Sequence, residues 1–332
     1  MLVHEYVAKK APAYAETAVR HPAYASLKGR DFLSVDDLSI QEIHSLLELA
    51  ADMKERPKHY SEALAGKTLA LIFEKPSLRT RTTFTVAIAQ LGGVVVDFPS
   101  GDVGLGKRES VHDVAKNLER MVDGVMIRTF GQEIVLSFAN YSSVPVINGL
   151  TDLEHPCQAL ADFLTLSEHK KNIKKLKLAY VGDGNNVANS LLLMAGKWGA
   201  TLVIATPHDY APDKEIVKRA KELAGSNGGE IIITENPVEA VQNADAVYTD
   251  TWTSMGQEAE SEIRRRIFKS YQVNRELFSH AKPDALFMHC LPAHRGEEVT
   301  DEIIDSPNSV VFDEAENRLH VQKAILYALL RD

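Results

Sequence analysis

From Lys67 to about Leu330, short β-rich runs alternate with helical patterns, and this alternation restricts the fold more than any other feature of the chain. Thr68 to Phe73 reads as a buried strand, followed by a helical pattern from Thr80 to Leu91. Gly92-Gly93 stops that helix, and Val94-Val95-Val96 opens the next strand. Further strand signals lie at Gly124–Ile127, Val144–Ile147, Leu176–Val181, Leu202–Ala205, Ile231–Ile233, Ala246–Tyr248 and Ala285–Met288, with helix-like segments interspersed among them. Strands separated by helices demand parallel pairing with helices on both faces, so the expected class is α/β. The run from Glu316 to Leu330 is amphipathic and reads as a helix.

With 332 residues the chain is about twice the usual domain length, which favours two doubly wound domains with parallel sheets. A basic run, His169 to Lys175, follows the helix that begins near Pro156, and the alternation restarts after it. The division expected is therefore residues 1–165 and 166–315, with 316–332 as a closing helix.

Hydrophobic residues at 45% and charged residues at 25% exclude a disordered chain. A net charge of -9 argues against nucleic acid, which needs a basic face, yet leaves room for a small anion in a locally positive pocket. The two cysteines, Cys157 and Cys290, cannot form a disulfide framework and suit a reducing compartment. No apolar stretch approaches the roughly 20 residues needed to cross a bilayer. Before Asp31, the bases Lys9, Lys10, Arg20, Lys28 and Arg30 face only Glu5 and Glu16. That stretch lacks the Arg and Ser richness of a transit peptide and reads as a solvated arm, with an organelle-targeting remnant as the rival. Cytoplasm is the expected location, a mitochondrial or plastid matrix the alternative.

Five segments carry chemistry. Ser77-Leu78-Arg79-Thr80-Arg81 sits between a strand and a helix, where unpaired N–H groups and the helix dipole favour an anion. Ser77 alone would be an ordinary cap; two hydroxyls and two guanidinium groups within five positions point to phosphate. In His155-Pro156-Cys157-Gln158, Pro156 suits the first helical position, leaving His155 at a helix start where its ring stays neutral. Gln158 can fix an amide-like group, and Arg128 ends a strand nearby in the pattern. Gly182-Asp183-Gly184-Asn185-Asn186 superficially resembles a dinucleotide loop, but Val187 breaks the GxGxxG spacing and the following strand lacks its acidic residue. Asp250-Thr251-Trp252-Thr253-Ser254-Met255-Gly256 places a carboxylate and a hydroxyl after a strand, suited to an ammonium group; a cap plus a core tryptophan is the bland reading. His289-Cys290-Leu291-Pro292 again follows a strand; Cys290 reads equally as buried core, and no papain-like signature surrounds it.

Taken in this order, the five segments resemble the transcarbamylase family, that is, the aspartate and ornithine carbamoyltransferases, from about Asp31 to Leu330. Ser77 to Arg81 resembles its SxRTR loop and His155 to Gln158 its HPxQ element, both shared across the family. Asp183 to Asn186, Asp250 to Gly256 and His289 to Pro292 match the ornithine branch. The resemblance implies that Ser77, Leu78, Arg79 and Thr80 hold phosphate, and that Thr80, Arg128 and His155 face the carbonyl oxygen of carbamoyl phosphate. Gln158 would take the carbamoyl amine, while Cys290, Leu291 and Arg318 complete the site. Asn186, Asp250, Ser254 and Met255 would hold L-ornithine, Met255 through its backbone. The catalytic set is then Arg128, His155, Cys290 and Arg318, with Cys290 assisting as thiolate or as hydrogen-bond partner. Domains 1–165 and 166–315 would bind carbamoyl phosphate and ornithine respectively, the C-terminal helix returning to the first.

The resemblance also implies a homotrimer or multiple of trimers, no metal and no cofactor, and closure of the Ser254-Met255-Gly256 loop after carbamoyl phosphate binds. The implied product is L-citrulline, for arginine synthesis or, in the opposite direction, its breakdown. A catalytically silent homologue and a transferase for another amine such as putrescine are the competing readings. One departure stands out: Gly104 occupies the place of a glutamine that, in relatives, reaches carbamoyl phosphate from a neighbouring subunit. Its loss is expected to raise the Michaelis constant without removing a catalytic group.

Overall fold

The computed structural model describes residues 22–332. Residues 1–21, and with them most of the basic arm and the targeting reading, lie outside the described residues. Nine strands form two sheets among the described residues. The first holds β1 (Thr68–Phe73), β2 (Val94–Phe98), β3 (Gly124–Arg128) and β4 (Val146–Leu150), in the order β2-β1-β3-β4. The second holds β5 (Lys177–Val181), β6 (Thr201–Ala205), β7 (Glu230–Thr234), β8 (Ala246–Tyr248) and β9 (Leu286–Met288), in the order β7-β6-β5-β8-β9. Every pairing is parallel. β3, β4 and β8 are buried along their whole length, as strands covered on both faces must be.

Three elements differ from the sequence reading. The helix Ile40–Glu55 was not anticipated, although Ser39 and Glu42 form a capping box at its start and supplied a signal for it. The fourth strand is Val146–Leu150 rather than Val144–Ile147, so Asn148-Gly149-Leu150 is strand and not turn. The cause is a bulge: Ile127 pairs with Asn148, but Arg128 pairs with Leu150. Gly149 is the extra residue, and a Cβ there would stand 2.3 Å from Met126 Sδ, so any larger residue would force the buried Met126 side chain aside. The bulge lies beside Arg128, at the end of β3.

The C-terminal helix begins at Val311 rather than Glu316 and runs to Leu330. It packs against the helices Ile40–Glu55, Leu78–Gln90 and Pro156–His169, all belonging to the first sheet's layers. The expected division at residue 165 falls inside Pro156–His169; the chain leaves that helix at His169 and enters β5 at Lys177. A continuous apolar core, with Leu160, Phe163, Leu192 and Leu326 among its members, joins the two sheets' layers. Phe163 meets Trp198 across that junction with ring centroids 5.4 Å apart. Each such fully buried side chain contributes roughly 1.5–3 kcal/mol.

Candidate active site

The connections reverse direction between β1 and β3 in the first sheet and between β5 and β8 in the second. In open α/β sheets, clefts form outside the carboxyl ends of strands at such points. The segments singled out in the sequence all follow carboxyl ends there: β1 leads to Ser77, β3 ends in Arg128, β4 leads to His155, β5 to Asn186, β8 to Asp250 and β9 to Cys290.

Thr80 is the hub of the first half. Its hydroxyl oxygen accepts from Arg128 Nη1 at 3.2 Å and from Arg318 Nη2 at 2.7 Å, joining the helix Leu78–Gln90, β3 and the C-terminal helix. Arg128 is 6% exposed and Arg318 2%, and the Nε of each has no partner among the described residues. Burial, then the Arg318 charge, pushes the Arg128 pKa down; burial also lowers those of Arg318 and Arg79. Buried cations cost several kcal/mol each unless an anion pairs with them, so the cluster is built for an anion. Ser77 Oγ accepts from Thr80 N at 3.1 Å, the ordinary cap of the bland reading. Leu78 is 78% exposed and turns its side chain outward. Arg81 does not join the cluster as expected: it lies 3.3 Å from Asp97 and covers the Phe73 ring, held by the neighbouring β2.

His155 precedes the helix Pro156–His169, buried, with its N–H donating to Ser190 Oγ at 2.8 Å and its Nδ1 unpartnered among the described residues. Its pKa falls well below the ordinary imidazole value, through burial first and then Arg318, Arg128 and Arg79. The neutral ring expected from the helix start therefore has a different main cause. Gln158, on the same helix, is also buried.

In the second half, Asp250 receives two bonds: Asn185 Nδ2 at 2.7 Å on one oxygen and the Cys290 thiol at 3.2 Å on the other. Burial and the Asp250 charge raise the Cys290 pKa well above its usual value, so the sulfur is a thiol donor here and not the thiolate. Asn185 also caps the helix Asn186–Trp198, accepting from Val187 and Ala188. Asn186 instead donates to Thr151 O at 2.6 Å, tying this helix to the first half. Trp252 stacks on Phe268 in the core, as the bland reading held. Arg264 donates to Trp252 O at 2.9 Å and to Asp183 Oδ2 at 3.1 Å, anchoring the root of the Asp250–Gly256 segment. Met255 is 40% exposed, and Ser254 N donates to Gln257 Oε1 at 3.2 Å. A Cβ on Gly256 would stand 3.8 Å from the Phe130 ring, so this loop reaches across to the first half. Leu291 has φ 58°, costly for a bulky residue; its N–H donates to His289 Nδ1 at 2.9 Å. His289 Nε2 donates in turn to Glu298 at 3.1 Å.

Asp250, His289 and Cys290 hold ligand-type atoms within 4.8 Å of one another, as do His294, Glu297 and Glu298. Both nitrogens of His289 are committed, however, and Glu297 pairs with Arg265 at 2.8 Å. Among the described residues no helix is long and apolar enough to cross a membrane.

Sequence models of two domains match the chain: "Aspartate/ornithine carbamoyltransferase, carbamoyl-P binding domain" over residues 30–168, and the "Asp/Orn binding domain" of the same description over residues 174–329. The chain belongs to the aspartate/ornithine carbamoyltransferase family. An ornithine carbamoyltransferase of Pyrococcus abyssi is 54% identical over 92% of this chain and 97% of its own. The solved ornithine carbamoyltransferase of Pyrococcus furiosus is 53% identical with TM-score 0.89, covering 92% of this chain and 98% of that one. That of Gloeobacter violaceus is 48% identical with TM-score 0.83, covering 91% and 99%. Within this family's fold, sequence reasoning gave no role to Asn185, although its segment was singled out, and missed Arg264. Asn185 carried a capping signal, whereas Arg264 meets Asp183 across 81 residues and carried none.

Proposed function

We propose that the chain transfers the carbamoyl group of carbamoyl phosphate to the side-chain amine of L-ornithine, giving L-citrulline and phosphate. The observation that carries this is the cluster of Arg79, Arg128 and Arg318, whose two buried members bond to Thr80 rather than to a carboxylate among the described residues. Ser77, Leu78, Arg79 and Thr80 would take the phosphate, Leu78 through its N–H. Arg128, His155 and Thr80 would face the carbonyl oxygen, Gln158 the carbamoyl amine, and Arg318, Cys290 and Leu291 the rest of that group. Asn186, Asp250, Ser254 and Met255 would hold ornithine.

The neutral amine attacks the carbonyl carbon; the tetrahedral intermediate expels phosphate, and the nitrogen sheds its proton. Orientation of two bound substrates supplies much of the rate. Preplaced donors on the developing oxyanion supply the remainder. A neutral His155 donates a hydrogen bond without adding a fourth positive charge. The Cys290 thiol, bonded to Asp250, fits the hydrogen-bond role rather than the thiolate role.

The proposal extends to a first domain of residues 1–165 with the returning helix 316–332, and a second of 166–315. It extends to trimers, a cytoplasmic setting and arginine synthesis. Citrulline formation, measured with ornithine, putrescine, N-acetylornithine and aspartate as separate acceptors, tests the activity. Turnover with ornithine alone is expected; turnover with another acceptor would overturn the ornithine assignment, and none at all would favour a silent homologue.

A further inference from the structure

Gln158 is held from behind. Its Nε2 donates to Asp162 Oδ1 at 2.8 Å and to Glu314 Oε1 at 3.0 Å, while its Oε1 is buried with no partner among the described residues. An amide nitrogen carries two donors and an amide oxygen none, so two acceptors on one side decide which way the group points. Glu314 does more than this. Its Oε1 also accepts from the Tyr248 hydroxyl at 3.0 Å, and its Oε2 accepts from His289 N at 3.1 Å. One carboxyl group on the C-terminal helix thus fixes both Gln158 and the start of the His289-Cys290-Leu291 turn. Asp162 and Glu314 are both fully buried. Burial first, and for Glu314 the neighbouring Asp162, raises both, Asp162 to about 7. A proton carried on Asp162 Oδ2, which has no partner among the described residues, leaves Asp162 Oδ1 and Glu314 Oε1 as acceptors.

We infer that Asp162 and Glu314 are positioning residues that lock the Gln158 amide with its oxygen toward the substrate, so that the site selects an acyl phosphate bearing an N–H donor on its carbonyl carbon. This rests on the carbamoyl phosphate reading above. Acetyl phosphate has the same phosphate and carbonyl but puts a methyl group where the carbamoyl amine sits. Against it, the buried Oε1 stays unpaired, and sites of that kind reject such analogues by up to ~10⁴-fold. With either carboxyl group lost, the amide is free to turn and present a donor to the incoming amine.

The test compares wild type, Glu314→Gln, Asp162→Asn and Gln158→Leu. Steady-state constants are measured for carbamoyl phosphate and ornithine, with acetyl phosphate as competitive inhibitor. Glu314→Gln and Asp162→Asn are expected to raise KM for carbamoyl phosphate about tenfold, the loss of one hydrogen bond's worth of selection. Both should narrow the carbamoyl-to-acetyl preference by a similar factor and leave KM for ornithine nearly unmoved. A fall in kcat with the preference unchanged in both would reduce the pair to packing and overturn the inference. If Gln158→Leu also leaves the preference unchanged, the assignment of Gln158 to the carbamoyl amine fails as well. If Gln158→Leu abolishes it and the other two do not, only the positioning role fails. Should the carboxyl variants not fold, a crystal structure of the wild-type protein with a carbamoyl phosphate analogue decides. The inference expects Gln158 Oε1 about 3 Å from the analogue's amine, with the amide nitrogen still on both carboxyl groups; a Gln158 turned away from Asp162 and Glu314 overturns it.

Discussion

The two halves of the cleft solve opposite problems. On the first-sheet side, Arg128, Arg318, Thr80 and His155 are buried and bonded to protein before any substrate arrives. Charge there is present in excess and lacks only its anion. On the second-sheet side, Asp250 is buried and doubly bonded, but Ser254 and Met255 sit on a partly exposed loop that approaches the first half at Phe130. One half is buried and fixed by side-chain bonds; the other places two of its residues on a partly exposed loop. The contrast would favour carbamoyl phosphate binding first, the order the family resemblance implies, since an anion neutralises the guanidinium cluster.

Substitutions should separate the halves in a graded way. Arg128→Ala is expected to cost the most, ~10³-fold in kcat/KM for citrulline formation, as the loss of a preplaced donor does. A loss under tenfold would mean that the cluster does not face the reacting group. Asp250→Asn should raise KM for ornithine by roughly tenfold to a hundredfold, since a charge-assisted bond to an ammonium group is lost. The constant for carbamoyl phosphate should move far less. Equal changes in both constants would erase the contrast between the halves.

His155→Gln should lower turnover by about 10²-fold, within the range for a positioned hydrogen-bonding side chain. With its pKa held well below 6.5, His155 is neutral at all pH values above that depressed value. The folded protein therefore binds fewer protons than the unfolded chain as pH falls below the ordinary value of about 6.5. His155 must then cost stability as pH drops through that range. Urea melts at pH 7 and pH 5 should show a smaller acid loss in His155→Gln, and an identical loss would contradict the burial of a neutral ring.

The smallest effect belongs to Gly104→Gln. Gly104 has φ 60°, and a Cβ there would stand 3.1 Å from Arg108 Cβ, so introducing the glutamine that the family resemblance implies strains the loop by about 1–2 kcal/mol. The thermal midpoint should fall, while KM for carbamoyl phosphate drops no more than about threefold. A tenfold drop with unchanged stability would show that the loop can rebuild to recover the contact.

The alternation of strands and helices made both sheets legible, because covered parallel strands must be short apolar runs. Asn148-Gly149 misled because a glycine that ends a strand and one that bulges it look alike until the partner strand is known. In the site, residues clustered in sequence were readable: Ser77 to Thr80, His155 to Gln158 and Cys290. The partners that orient them were less so. Arg318, 238 residues from Thr80, was reached through the family resemblance alone, and Glu314, 156 residues from Gln158, was not reached at all, since only folding brings these pairs together. Arg81 failed for the converse reason: neighbours in sequence on a helix need not share a face.

The C-terminal helix Val311–Leu330 has a consequence for how the chain becomes active. It covers the helices of the first sheet and supplies Arg318 and Glu314 to the cleft, so the first half of the cleft is complete only once this helix has folded back onto it. Without that helix the first sheet's layers would leave an apolar face open, and the cleft would lack both groups. The reaction centre thus doubles as a check on folding: a chain in which this helix has not docked exposes apolar surface and lacks both side chains at the cleft.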